Sequence, residues 1–247
     1  MQTSSFSGAQ YLSRGFSLIW KKGIRQFVFI PLAINLILLS VATFFAVDYL
    51  SSWYDSMQQS EYAIIQWFVE NLGWLIWPLI LIGVFVMVFF VFAFIANWIA
   101  APFNGLLSEA VERHLSGESY QEDIFNWQTF IKDIPRLMGR EWKKLAYYLP
   151  RAIGCLLLFF IIGPIAPIIW FIFNAWMTAI QYIDYPLDNH RIPFSRALDI
   201  VRSRRAGSFG FGAVIMFITM IPVLNILVMP VAVAGATAMW FEHYRQA

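Results

Sequence analysis

The chain has 247 residues, of which 60% are hydrophobic, 18% aromatic and only 13% charged, and its formal net charge is +2. Soluble domains average about 25% charged residues, so this composition excludes an ordinary soluble protein and indicates an integral membrane protein. The apolar segments are spread along the whole chain, and no Gly/Ser/Pro-rich linker divides them. We therefore predict a single all-α membrane domain over residues 1–247.

The N-terminal residues have the pattern of an amphipathic helix that lies on the membrane surface, and we predict this helix over residues 5–22. Apolar side chains recur every three to four positions, with polar residues between them: Phe6, Ala9, Leu12, Phe16, Ile19 and Trp20. The first residues lack the basic-then-apolar order of a secretory signal, so we expect the N-terminus to stay in the cytoplasm.

Two apolar runs follow the surface helix, and each is long enough to cross a bilayer. The first span is predicted over residues 27–47, with Pro31 in its first turns, where a missing N–H does little harm. The second span is predicted over residues 74–99. Its ends carry aromatic residues typical of membrane interfaces, which are Trp74, Trp77 and Trp98.

The loop between these spans predicts their orientation. Residues 48–73 contain four of the 15 acidic residues, and all 17 Lys and Arg lie before or after them. By the positive-inside rule this loop faces the outside, and the other polar segments with both termini face the cytoplasm. A polar stretch after the second span leads to a helix predicted over residues 135–150, which rests on the cytoplasmic surface or extends the second span.

Two apolar segments in the second half, residues 152–183 and 209–240, are each interrupted near the centre. The interrupting residues are Gly163, Pro164 and Pro167 in the first segment and Pro222, Asn225 and Pro230 in the second. Arms of about 12 residues reach only about 18 Å into a hydrocarbon core of about 30 Å, so we predict two half-penetrating helical hairpins. The alternative is that each segment forms one long, kinked span, because membrane helices accept proline. Paired interrupted segments are typical of transport sites.

The start of the first span is a candidate anion site. Lys21, Lys22 and Arg25 lie where a helix presents free N–H groups and the positive end of its macrodipole. The alternative is that these charges only set the topology at the lipid surface. Residues 97–109 form a second candidate, either a polar vestibule or a helix end followed by a newly capped helix. In this stretch Glu109 is expected to hold an Arg or Lys in place.

The sequence gives no indication of catalysis, and we expect no catalytic residues, metal or cofactor. His114, His190 and His243 are scattered without metal-ligand or carboxylate–histidine spacing. The phosphate-binding string G-x-x-x-x-G-K-[ST] is absent, so ATP does not drive anything within this chain. The predicted spans also lack internal charged residues, which favours facilitated flow.

Several strings of the sequence are specific enough to suggest a family. They lie at residues 23–25, 97–109, 140–142, 148–151, 184–190 and 229–240, and include NWIAAPFNGLL and DYPLDNH. Over nearly the whole chain the sequence closely resembles the CysZ family of bacterial inner-membrane sulfate permeases. The resemblance implies sulfate uptake across the inner membrane for cysteine biosynthesis, without ATP hydrolysis by the protein. It also implies two membrane helices with two half-penetrating hairpins.

The resemblance implies a binding site and partners as well. The family's sulfate site is similar to Gly23, Ile24, Arg25 and Gln26 here, with Lys22 beside it, and its supporting motif is similar to Gly105, Leu106, Leu107, Ser108 and Glu109. The family pattern has two consecutive arginines where this chain has Arg25 and Gln26, and a glutamine donates through its amide without a charge. The implied partners are the sulfate anion, membrane lipids and further copies of the chain, in a homo-oligomer built from dimers such as a hexamer. We expect no nucleic-acid partner.

Two hypotheses from other classes remain beside the permease. One is a membrane-shaping or scaffold protein, which a surface helix and shallow hairpins would suit. The other is a lipid-modifying membrane enzyme, which lacks a convergent acid–base or metal cluster. Because two spans per chain cannot enclose a pore, the permease hypothesis predicts that several subunits do.

Overall fold

A computed structural model describes residues 7–59, 62–118 and 127–245, and within them every regular element is helical. In chain order the helices are α1 (Gly8–Leu18), α2 (Gln26–Gln58), α3 (Ala63–Leu115), α4 (Trp127–Ile162), α5 (Ala166–Asn189), α6 (Phe194–Ser203), α7 (Arg205–Thr219) and α8 (Pro222–His243), with a 3-10 turn at Gly163–Ile165. The predicted surface-helix residue Phe6 and the loop acid Glu61 lie outside the described residues.

Several of these helices have the length and composition of membrane spans. Within the described ranges four segments qualify, and a bent fifth lies in α3; the four are Gln26–Gln58, Ile131–Ile161, Gly163–Asn189 and Leu224–His243. The chain is therefore an all-α membrane protein, as its composition predicts. It divides into two compact units, one formed by Met1–Phe29 with Ala101–Ala247 and the other by Ile30–Ala100.

The unit Ile30–Ala100 consists of most of α2 and the first part of α3, which run antiparallel. The rings of Tyr54 and Trp77 lie with their centroids 4.4 Å apart, and Leu50 and Leu81 line one apolar cleft. Helix α3 bends by 49° between Val69–Leu75 and Trp77–Phe90. Pro78 follows directly, and its ring crowds the preceding turn while its missing N–H removes a hydrogen bond.

Helix α3 does not end near residue 99, as the sequence suggested, but continues through Pro102 to Leu115. Neither the helix end nor the newly capped helix predicted within residues 97–109 is present. The reason is that Phe103, Leu107 and Val111, spaced four residues apart, are all buried. Burial of one continuous face stabilises the helix by more than the hydrogen bond that a single proline removes.

The segment around Gly163 forms a hairpin, and the alternative of one kinked span does not hold. The chain reverses at Gly163–Ile165, where Gly163 has a φ of 50°. Residues on either side then meet in antiparallel order: the ring centroids of Phe159 and Trp170 are 6.4 Å apart, and those of Tyr148 and Phe173 are 5.4 Å apart.

The second hairpin, formed by α7 and α8, turns slightly earlier than predicted. The break lies at Met220 and Ile221, and Pro222 is the first residue of α8. Asn225 and Pro230, which the sequence suggested as breakers, lie inside α8. The hydroxyl oxygens of Ser208 and Tyr244 are 2.7 Å apart, so α7 and α8 also run antiparallel.

The expectation that each hairpin arm has about 12 residues is wrong for three of the four arms. Helix α4 has 36 residues, α5 has 24 and α8 has 22, and only α7, with 15, is short. The helix predicted over residues 135–150 is the first part of α4, which runs on without a break into the hairpin. An isolated proline removes only one hydrogen bond, and tertiary packing keeps the helix continuous around it.

Glycines allow helices of the first unit to touch through their backbones. A Cβ on Gly212 of α7 would lie 1.9 Å from the carbonyl oxygen of Ala175 on α5, and one on Gly15 of α1 would lie 2.2 Å from that of Val231 on α8. Such contacts leave no room for a side chain. They place α5, α7, α8 and α1 in one closely packed core.

Helix α1 packs against this core, and its two apolar faces have different surroundings. Tyr11, Leu12 and Ile19 are buried by protein, whereas Phe16 and Trp20 are about half exposed. Near the N-terminus of α1 the Tyr11 hydroxyl donates to Glu242 at 2.5 Å and lies 2.7 Å from Nε2 of His243. Burial and the neighbouring Glu242 carboxylate raise the pKa of Tyr11, so this hydroxyl stays protonated.

Candidate anion-binding site

The predicted anion site lies in the turn between α1 and α2, which the backbone holds in a defined shape. The carbonyl of Lys21 accepts the N–H groups of Ile24 and Arg25, both at 3.1 Å. Gly23 has a φ of 89°, a left-handed conformation that favours glycine because it lacks Cβ. Ile24 and Val28 are buried, each only 1% exposed, and fix the turn to the core.

The charged side chains of this turn point outward. Lys21, Lys22, Arg25 and Gln26 are all exposed, and within the described part of the chain none of the three cations forms an ion pair. The sequence contains no acidic residue before Asp48. Helix α2 begins at Gln26, so the positive end of its macrodipole adds to these charges. The turn therefore brings three exposed cations together at the positive end of a long helix.

The second predicted motif, Gly105 to Glu109, lies on α3 and is mostly buried. The Gly105 carbonyl accepts from Nδ2 of Asn189 at 2.9 Å, and the Ser108 hydroxyl accepts from Thr237 at 2.9 Å. Leu107 is 1% exposed, whereas Leu106 is half-buried. Glu109 pairs with Arg113 at 2.6 Å, the type of partner expected for it. Among the described contacts none joins this motif to the turn, and its bonds run instead to α5 and α8.

A charged network that the sequence did not predict joins α4 and α5. Arg140 holds the Asp184 carboxylate through two nitrogens, at 2.9 and 2.5 Å, and both side chains are buried. One turn earlier Arg136 binds Asp188 at 2.5 Å, and one turn later Lys144 lies 3.7 Å from Asp184. The spacing of four residues on both helices is a signal that could have predicted this pairing.

Another missed contact joins α3, α5 and α8. Nε2 of His190 lies 2.9 Å from a Glu112 carboxylate oxygen, and its ring stacks on Trp240 with centroids 4.5 Å apart. His190 is exposed, and it has a carboxylate and an indole as partners. No local sequence signal links these three residues, because Glu112 lies on α3, Trp240 on α8 and His190 directly after α5.

The helical fold defines an α-helical membrane protein, with four segments among the described residues that are long and apolar enough to span a membrane. A sequence profile of the family described as Sulfate transporter CysZ/Etoposide-induced protein 2.4 matches residues 11–230, and the chain belongs to this family. It is 46% identical over 242 residues to proteins named Sulfate transporter CysZ from Salmonella typhimurium, Salmonella enteritidis and Salmonella typhi. Each alignment covers 97% of this chain and 93% of the relative. The family predicted from the sequence strings is thereby confirmed.

Proposed function

We propose that this chain is a sulfate permease, which carries sulfate across the bacterial inner membrane into the cytoplasm for cysteine biosynthesis. The observation that carries the proposal is 46% identity, over 97% of the chain, to relatives that are named sulfate transporters. The string G-x-x-x-x-G-K-[ST] is absent from the sequence, which supports movement of sulfate without ATP hydrolysis by this chain. The protein acts as a transporter and not as an enzyme.

The basic turn, defined as Lys22 to Gln26, is the proposed sulfate-binding station. Sulfate is a dianion, and its charge is prohibitively costly in a medium of low dielectric constant. A transport pathway must replace the water shell with N–H donors and opposite charge, and it must still release the ion. Arg25 and Lys22 supply two exposed positive charges, which bind more weakly than buried ones and so permit release.

Lys22 takes the place of the second arginine of the family pattern. An arginine holds an oxyanion with a rigid fork of donors, whereas a lysine acts as a flexible point charge. With Gln26 beside Arg25, the turn keeps an amide donor at this position but loses one fixed charge. We therefore infer that sulfate bound here is held by Arg25 as the principal ligand and by Lys22 as the second charge.

The motif Gly105 to Glu109 supports the site without contacting the anion. Its Ser108 and Leu107 are buried, and its hydrogen bonds run to Asn189 and Thr237. Glu109 would repel a dianion, and its ion pair with Arg113 already uses its charge. The motif thus holds α3 against α5 and α8 in the unit that carries the turn.

We further infer that the two hairpins enter the bilayer only partway, from a cytoplasmic side that also holds both termini. Helix α7 has 15 residues and reaches about 22 Å, less than a hydrocarbon core of about 30 Å. In the first hairpin the exposed, charged Arg151 of α4 belongs near the headgroup level, so only the apolar residues 152–162, about 16 Å of helix, insert before the turn at Gly163. Several copies, assembled from dimers and bounded by lipid, then enclose the pathway.

The experiment that tests the function measures uptake of radiolabelled sulfate into liposomes containing the purified protein. We expect saturable uptake that unlabelled sulfate competes away. A membrane-shaping scaffold gives no uptake above empty liposomes, and that result would replace the permease proposal. Competition by sulfite and by phosphate in the same assay measures the selectivity among oxyanions.

The binding station is tested with Arg25→Ala. Removal of the principal charge is expected to weaken sulfate binding by at least about tenfold, the effect of losing a charged hydrogen bond of roughly 1.5–3 kcal/mol. Arg196→Ala is the matched control, because Arg196 is an exposed arginine on α6, outside the turn. Sulfate affinity is read by equilibrium binding to purified protein. Equal affinity of the two variants would remove Arg25 from the site.

A further inference from the structure

A cavity of about 380 Å³ opens between α4, α5 and α7, lined by residues that have no part in the basic turn. Its walls carry one acid and one base, Glu141 and Lys144, and hydroxyl groups that include those of Tyr148, Thr178 and Thr219. The remainder of the lining is largely apolar. Cavities of several hundred Å³ with a few converging polar groups are typical of small-molecule sites.

The basic residue of this cavity, Lys144, is almost fully buried. Lys144 is 5% exposed, and within the described residues its Nζ makes no hydrogen bond of acceptable geometry. Nζ lies 2.5 Å from a Glu141 oxygen and 3.7 Å from Asp184, but Arg140 already holds Asp184. A buried ammonium without well-aligned acceptors is costly. The N–H groups of Lys144 are therefore available to an acceptor on a ligand at the polar end of the cavity.

The charges around the cavity decide what kind of ligand fits. Arg140 and Lys144 are balanced by Glu141 and Asp184, so a dianion finds no net positive charge here. The Glu141 side chain is 23% exposed and can accept from an incoming ammonium group.

Hydroxyl groups lie in the walls formed by α4, α5 and α7; those of Tyr148 and Thr219 donate to Asn174 and to the Met216 carbonyl, whereas that of Thr178 makes no hydrogen bond among those described. A ligand with an ammonium at one end and an acidic oxygen group at the other, neutral as a whole, matches this arrangement.

We propose that the cavity binds a phosphoethanolamine zwitterion, with its ammonium on Glu141 and its phosphate oxygens toward Nζ of Lys144 and the Thr178 hydroxyl. The surroundings favour a lipid as its source. Exposed apolar side chains lie near the cavity, on α4 and at the end of α7. They are Leu149, Phe217 and Met220, which are 51%, 59% and 65% exposed. They give acyl chains an apolar surface to lie on. The ligand is then the headgroup of an aminophospholipid, bound next to the charged network of Arg140, Lys144 and Asp184.

The test titrates the full-length chain in detergent with short-chain phospholipids and follows its thermal unfolding. Phosphatidylethanolamine is expected to stabilise the protein saturably. Phosphatidylcholine has the same phosphate but no N–H on its ammonium group, and phosphatidylglycerol has no ammonium group. Both are expected to bind at least about tenfold more weakly, because each lacks the charge-assisted bond to Glu141. Equal stabilisation by all three lipids overturns the proposal.

A separate arm uses free glycerophosphoethanolamine, a neutral zwitterion with the same phosphodiester group and no acyl chains, to distinguish the source. A lipid-borne ligand predicts that this free headgroup competes with phosphatidylethanolamine only at much higher concentration, because it lacks the acyl contacts. Free glycerophosphoethanolamine that binds as tightly as the lipid overturns the lipid assignment. Sulfate binding in the same samples is measured independently, so failure of this inference leaves the permease proposal untouched.

Two variants locate the ligand. Glu141→Gln keeps the shape of the side chain and is expected to weaken phosphatidylethanolamine binding by about tenfold. Glu70→Gln, at an exposed position of α3, is the matched control and is expected to change nothing. Should Glu141→Gln fail to fold, the isosteric Thr178→Val removes one hydroxyl and is expected to weaken binding by about threefold. Wild-type affinity in a folded Glu141→Gln or Thr178→Val variant places the ligand elsewhere.

Discussion

The two units of this protein hold their helices together by different means. In Ile30–Ala100 the contacts are apolar and aromatic, such as Tyr54 with Trp77, and large side chains such as Phe44 and Phe90 remain exposed. In the other unit helices touch through glycines and are joined by buried ion pairs. Lipid is as apolar as leucine, so helices facing it need only length and hydrophobicity. Close backbone contacts and paired charges require a specific geometry, and the candidate functional groups all lie in the unit that has them.

The largest predicted effect concerns the glycine contacts. Gly212→Leu is expected to prevent folding or lower stability by at least about 3 kcal/mol, because even a Cβ would lie 1.9 Å from the Ala175 carbonyl oxygen. Gly83→Leu in the other unit meets no atom within 4 Å of the new Cβ and is expected to be tolerated. Thermal unfolding in detergent, followed by size-exclusion chromatography, compares the two. Similar losses in both variants would mean that the units do not differ in packing.

The buried ion pairs predict the next effect. Arg140→Ala leaves the Asp184 carboxylate, 2% exposed, without its principal partner, and such losses cost about 3–5 kcal/mol. The double variant Arg140→Ala/Asp184→Ala removes both charges and is expected to recover part of the stability. Arg202→Ala is the control, because the exposed pair of Arg202 with Asp199 is worth at most about 1 kcal/mol. A double variant less stable than the single one contradicts this account.

The smallest effect concerns the contact of α1 with α8. Tyr11→Phe removes the hydrogen bond to Glu242 and is expected to lower stability by about 1–2 kcal/mol at pH 8. Unfolded tyrosine ionises near pH 10, whereas the raised pKa keeps folded Tyr11 protonated at higher pH. The folded state therefore binds more protons above about pH 10, and the wild type loses stability as the pH rises there.

The Tyr11→Phe variant has no titrating hydroxyl at this position, so its stability does not fall for this reason. The difference in free energy of unfolding between the wild type and the variant should therefore shrink between pH 8 and pH 10.5. Thermal unfolding of both proteins at the two pH values measures the change. Tyr49→Phe is the control, since Tyr49 is 73% exposed on α2. If the difference in stability between the wild type and Tyr11→Phe grows with pH instead, a group other than Tyr11 controls stability above pH 8.

Much of the fold follows from local properties of the sequence. The apolar runs predict α2 and α3, and three breaking residues within five positions, from Gly163 to Pro167, predict the turn of the first hairpin. A run of cations without a nearby acid predicts the exposed basic turn. A single helix-breaking residue, in contrast, is a poor predictor of a helix end. Pro102 and Pro230 lie within helices, because packing by distant residues outweighs the loss of one hydrogen bond.

The sequence by itself therefore determined that this is a helical membrane protein of a sulfate transporter family, with a basic turn before its first long helix. These properties depend on composition, on clusters of helix-breaking residues and on short sequence motifs, all of which are local. The tertiary structure alone decided that α4 runs on into the hairpin, that Arg140 meets Asp184 and that His190 meets Glu112 and Trp240. Those contacts join residues more than 40 positions apart, and the partner of a buried charge is set by how helices pack.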